Sequence, residues 1–82
     1  MEYLATFTST YKVLKAEKVL KGNGIPFRLL PSPKVLLKPS QCGLVIAFNA
    51  SDMAIVEDVL IKARVRPSAV YVKGEEGNYV KV

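Results

Sequence analysis

Histidine is absent from this 82-residue chain, and cysteine occurs once. The first absence excludes a His-based catalytic triad and any mixed Cys/His zinc site, and a lone thiol cannot close an internal disulfide. Carboxylates are also scarce: seven Asp and Glu against twelve Lys and Arg leave a net charge of +5. Glu57, Asp58, Glu75 and Glu76 read as solvated helix or turn positions, so general acid and base pairs are poorly supplied. A carrier or binding module is favoured over an enzyme, and no cofactor or metal is expected. No apolar run approaches the roughly 20 uncharged residues of a membrane span, because Lys and Arg interrupt each one. No membrane partner is expected. The start, Met1-Glu2-Tyr3, lacks the basic and apolar regions of a secretory signal, which points to the cytoplasm and a reduced thiol.

What is present fits one domain spanning residues 1–82 with a single modest core. Tyr3 to Phe7 alternates as a strand does, and Thr8, Ser9 and Thr10 offer hydroxyl caps for a helix. From Tyr11 to Lys21 the residues Val13, Ala16, Val19 and Leu20 recur at helical spacing, and Gly22-Asn23-Gly24 supplies the stop. Lys12, Lys15, Lys18 and Lys21 drift around half the cylinder and read as a solvated face. Ile25 to Leu30 predicts an edge strand, since Pro26 lacks a donor. Residues 31–42 carry three prolines and predict a long loop whose Val35-Leu36-Leu37 triplet seeks burial or a partner. Gly43 to Phe48 is apolar on both faces, as a central strand is. Asn49 to Asp52 caps a second helix with Met53, Val56, Val59, Leu60 and Ala63 inward. Ala69 to Lys73 closes the core as a fourth strand, and Asn78 to Val82 folds back as a short fifth.

Strand, helix, strand, strand, helix, strand is the α+β, ferredoxin-like βαββαβ order, with an antiparallel sheet ordered 4-1-3-2 and two helices on one face. In that topology the end of the first strand, the opening turn of the first helix and the loop before the third strand share one end of the domain. Cys42 therefore faces Thr8, Ser9 and Thr10, at the open rim of the helix-backed sheet. A helix N-terminus carries about half a positive charge and stabilises an anion by about 0.3 to 1 kcal/mol. Lys34 or Lys38 would add to that field, and Ser40 lies just ahead of the sulfur. Gly43 beside it suits close approach by a partner or a backbone conformation that a β-carbon forbids. The competing reading is that Cys42 only fills space in the core, as free cysteines often do.

Thr6-Phe7, Ala16-Glu17-Lys18, Gly24-Ile25, Leu30-Pro31-Ser32-Pro33-Lys34 and Cys42-Gly43-Leu44 together resemble the pattern of the small bacterial selenium/sulfur carrier protein-like family. The likeness runs from about Tyr3 to Phe48. It implies that Cys42 is a carrier thiol holding sulfur or selenium as a persulfide or selenosulfide, passed between a donor protein, such as a cysteine desulfurase, and an acceptor.

Two other readings compete. The RNA recognition motif shares this element order, and the chain is basic, but RNA stacking needs aromatics on the two central strands and the third strand offers only Phe48. Nucleic acid is disfavoured as a partner. A regulatory or assembly module would instead associate through an apolar, helix-free sheet face, for example as a homodimer, with Cys42 incidental.

Overall fold

A computed structural model describes residues 1–37 and 42–82 of the protein. Strand β1 (Glu2–Thr6) leads to Ser9, whose hydroxyl accepts from the Lys12 N–H at 3.3 Å and so caps helix α1 (Thr10–Gly22). The helix ends in a double hydrogen bond. Gly24 adopts a left-handed φ of 70°, the Gly24 N–H donates to the Lys21 carbonyl, and the Ile25 N–H donates to that of Leu20. Ile25 is thereby turned into the core.

Strand β2 occupies Arg28–Pro31, later and shorter than the expected Ile25 to Leu30. Residues 25–27 serve instead to carry the chain from the α1 cap to the sheet edge, with Ile25 buried and Phe27 packed against the core. A 3₁₀ turn at Lys34–Leu36 precedes β3 (Leu44–Asn49). A second such turn, Ala50–Asp52, opens α2 (Met53–Lys62), and the Asn49 side chain accepts from the Ser51 N–H. Helix α2 closes as α1 does: the Val65 N–H donates to the Leu60 carbonyl, and Arg64, with φ of 59°, holds the left-handed position that Gly24 holds in α1. Strands β4 (Ala69–Lys73) and β5 (Tyr79–Lys81) form the last hairpin.

The architecture is α+β: two helices and an open five-stranded antiparallel sheet in the order β2-β3-β1-β4-β5. The expected four-stranded 4-1-3-2 sheet is not matched as a whole. Read from the β4 side the neighbours are β4-β1-β3-β2, with β5 added outside β4. As expected, β2 is an edge and β3 is central, with Val45 to Phe48 all buried.

Alternation along the strands divides the core in two. Ala5, Ile46, Phe48 and Val70 meet Val13, Ala16 and Leu20 of α1 and Val56 and Leu60 of α2. On the helix-free face, Leu4, Val45 and Ala47 pack with Leu36 from the 3₁₀ turn, flanked by Leu30, Tyr71 and Tyr79. On that face Leu4, Val45 and Ala47 are covered within the chain, which reduces the apolar sheet surface that association could use. The aromatic count for RNA stacking falls further, because Phe48 points to the helices, 2% exposed, with its ring edge-on to Tyr3.

Leu36 alone of the Val35-Leu36-Leu37 triplet is buried. Truncating it opens a cavity over β3, so Leu36→Ala should cost about 2 to 4 kcal/mol in denaturant unfolding, while Val35→Ala should change stability by about 0.5 kcal/mol or less.

Candidate functional site

Three backbone hydrogen bonds fix the end of the domain where Cys42 lies. The Cys42 N–H donates to the Phe7 carbonyl at 2.8 Å, the Ser32 N–H to the Gly43 carbonyl at 2.8 Å, and the Ser68 N–H to the Thr6 carbonyl at 2.7 Å. The exit of β1, the entry to β3, the exit of β2 and the entry to β4 are thus tied side by side. Helix α1 opens three residues after Phe7, so its first turn lies against the same end.

Sγ of Cys42 lies 3.4 Å from the Thr10 hydroxyl, a contact in which either atom can donate. The sulfur therefore sits at the opening turn of α1, as the topology argument expected. Of the three hydroxyl residues expected to face it, Thr10 touches it, Ser9 is engaged in capping through Lys12, and Thr8 is exposed. Thr10 is the partner with a stated chemistry: its hydroxyl can donate to a sulfur anion.

Two expectations need correction. Cys42 is not at an open rim. It is 8% exposed and belongs to the core cluster formed with Phe7, Val13 and Ile46 on the helix side of the sheet. The cause is local: the bond to Phe7 draws residue 42 under the first turn of α1 instead of letting it project from the loop. Gly43 does not have a φ in the left-handed region, and a β-carbon built there meets nothing within 4 Å. Its backbone does not require glycine. What remains of that reading is exposure, since Gly43 faces open space directly beside the buried sulfur.

Lys34 is exposed in the 3₁₀ turn, on the same end of the domain. Lys38 and Ser40 lie outside the described residues. The α1 lysines form a solvated face, with Lys12, Lys18 and Lys21 exposed and Lys15 half-buried. Ser32 was missed as a site residue by sequence reasoning. Its hydroxyl oxygen is buried with no hydrogen-bond partner among the described residues, and its N–H holds the Gly43 carbonyl. The Pro31-Ser32-Pro33 context was visible, but nothing in it signals a buried hydroxyl.

A cleft between α2 and the sheet lies elsewhere. About 270 Å³ opens between α2 and the sheet, lined by Ala5, Phe48, Val56, Leu60, Val70 and Val82 among others, and Cys42 is not part of it. Among the described residues no three His, Cys, Asp or Glu side chains converge, and no helix is long and apolar enough to cross a membrane.

The protein is thus a small α+β domain whose one thiol is packed against the first turn of a helix. The model of the family described as "Putative Se/S carrier protein-like" matches residues 2–72, and the chain belongs to that family. No curated protein and no solved structure matches the chain. The matched span includes Cys42, Thr10 and Gly43 and stops before β5, which lies outside it.

Burial makes a measurable demand. In the native protein, alkylation of Cys42 by iodoacetamide should be at least about tenfold slower than in the same chain unfolded in guanidinium, because reagent reaches the sulfur only through its small exposed fraction. Equal rates by intact-mass kinetics would contradict the placement of Cys42 in the core.

Proposed function

We propose that Cys42 is a carrier thiol that accepts terminal sulfur or selenium from a donor protein and passes it to an acceptor. The observation that carries this reading is the position of the single cysteine: inside the family match, at the first turn of α1, with the Thr10 hydroxyl 3.4 Å from Sγ.

Transfer proceeds by thiol exchange, written here for sulfur. The Cys42 thiolate attacks the terminal sulfur of a donor persulfide. An Sγ–S bond forms as the donor's S–S bond breaks, and the donor sulfur leaves as thiolate with the bond's electron pair. The transferred atom leaves protonated or is reprotonated from water, and no external oxidant or reductant is consumed. Onward transfer is the same step with roles exchanged. The acceptor thiolate attacks the terminal sulfur, and Cys42 departs as thiolate. Selenium would follow the same route as a selenosulfide.

The chain's own groups serve that exchange in defined ways. The unpaired N–H groups at the start of α1 favour negative charge at its N-terminus, by about 0.3 to 1 kcal/mol in exposed settings. Thr10 can donate its hydroxyl to the sulfur in its anionic form. Gly43, exposed and without a side chain, leaves the sulfur approachable along the backbone from outside. Donor and acceptor proteins are the partners, and the cytoplasm is the compartment in which a reduced thiol of this kind operates.

Reduced protein incubated with a cysteine desulfurase and cysteine should gain the mass of one sulfur atom, removable by dithiothreitol, and Cys42→Ala should gain nothing. Equal gain in that variant, or none in the wild type, would remove the proposal. A second variant isolates approach from folding. Gly43→Ala should leave the unfolding free energy unchanged or raise it by up to about 1 kcal/mol, since the added methyl has room, yet slow transfer from the desulfurase.

A further inference from the structure

Charge is distributed unevenly between the two ends of the sheet. At the Cys42 end lie Lys12 in the first turn of α1, Lys34 in the 3₁₀ turn, and Lys62, Arg64 and Arg66 where α2 runs down to β4. All five are exposed. The hydrogen bonds from Cys42 to Phe7 and from Ser68 to Thr6 place the Arg64–Arg66 segment and the cysteine on adjoining strand ends. The nearest acidic side chain on α2, Asp58, is engaged by Lys62 at 3.1 Å. At the opposite end the pairing of Glu2 with Asn49 and of Tyr3 with Val72 gathers Glu2, Asp52, Glu75 and Glu76. At the Cys42 end the cations outnumber the acids, whereas at the opposite end Lys21, Arg28 and Lys73 stand against those four carboxylates.

Apolar surface accompanies that charge. Val35 is 73% exposed and Leu37 49% exposed, on either side of the buried Leu36 and next to Lys34. Leu36 anchors the turn to β3, which holds its two neighbours outward on a fixed support.

We infer that the Cys42 end of the domain is a docking surface for an acidic protein face, that of the sulfur donor, with Lys12, Lys34, Arg64 and Arg66 steering it and Val35 and Leu37 making the apolar contact. The inference rests on the carrier reading of Cys42. Complementary charge raises encounter rates by about 10- to 1000-fold at low salt, while exposed aliphatic groups supply contact area. A protein is favoured over a nucleic acid because the two central strands expose no aromatic for base stacking among the described residues, and the one strongly exposed aromatic at this end, Tyr11 at 71%, stands on the first turn of α1 and not on the sheet.

The test compares sulfur transfer from a cysteine desulfurase with cysteine to the wild type, to Lys12→Glu/Arg66→Glu, and to Lys21→Glu/Lys73→Glu, a control with the same change in net charge at the opposite end. Glutamate at position 12 suits a helix N-terminus, so the first variant should fold, as circular dichroism and thermal unfolding will verify. The expected result is a rate at least about tenfold lower for the first variant at low salt, a smaller loss in the control, and convergence of all three as salt is raised. Wild-type protein treated with inorganic polysulfide separates the two readings. If Cys42 loads from polysulfide and the first variant accepts sulfur from the desulfurase as fast as the wild type, the docking surface is overturned and the carrier survives. If Cys42 loads from neither source, the carrier falls and the docking surface with it. If the first variant keeps its transfer rate but loses salt-sensitive binding to single-stranded RNA, the surface is a nucleic-acid site and the inference is overturned.

Discussion

Strand β3 must be covered on both faces, and most of the fold follows from that demand. Val45 and Ala47 point one way, Ile46 and Phe48 the other, and all four are at most 2% exposed. The helices cover one side. The other is covered through Leu36, which is why the connection after β2 contains a 3₁₀ turn lying against the sheet. At roughly 25 cal/mol per Å² of apolar surface, burying these side chains contributes several kcal/mol, enough to set where both ends of the strand go. Residue 42 is one of those ends, and its N–H is bonded to the carbonyl of Phe7, itself fully buried. The thiol is thus positioned by the core, not by the loop that leads to it.

This origin explains a tension in the site. A transferable sulfur needs a path to solvent, yet Cys42 shares a cluster with Val13 and Ile46. The polar exceptions lie on two sides of it: the Thr10 hydroxyl in contact and the exposed Gly43 next in the chain. The chain's membership of a selenium/sulfur carrier-like family implies transfer partners in general terms.

Much of the architecture was legible because its signals are local. Ser9 as cap, the spacing of Val13, Ala16 and Leu20, the doubly apolar β3 and the span Ala69–Lys73 are stated by neighbouring residues and recur in the structure. The displaced start of β2 was not legible, because Ile25 has as much strand propensity as Leu29 and only the tertiary fold decides which is used to follow a helix cap. The exposure of Cys42 was misread for a similar reason. Position at one end of a sheet follows from topology, but depth beneath a helix turn depends on a single backbone bond to Phe7. The burial of Val65 was not legible because the residue before it gives the wrong cue: glycine announces a left-handed cap, arginine does not.

That last pair bears on how the molecule could be altered. The two helices end in the same hydrogen-bonded turn, with Gly24 at the left-handed residue of one and Arg64 at that of the other. A non-glycine residue there costs roughly 1 kcal/mol or more. Relaxing the turn with glycine would relieve that cost and remove an exposed guanidinium from the thiol-bearing end in the same step, so backbone ease and surface charge are opposed aims at one codon.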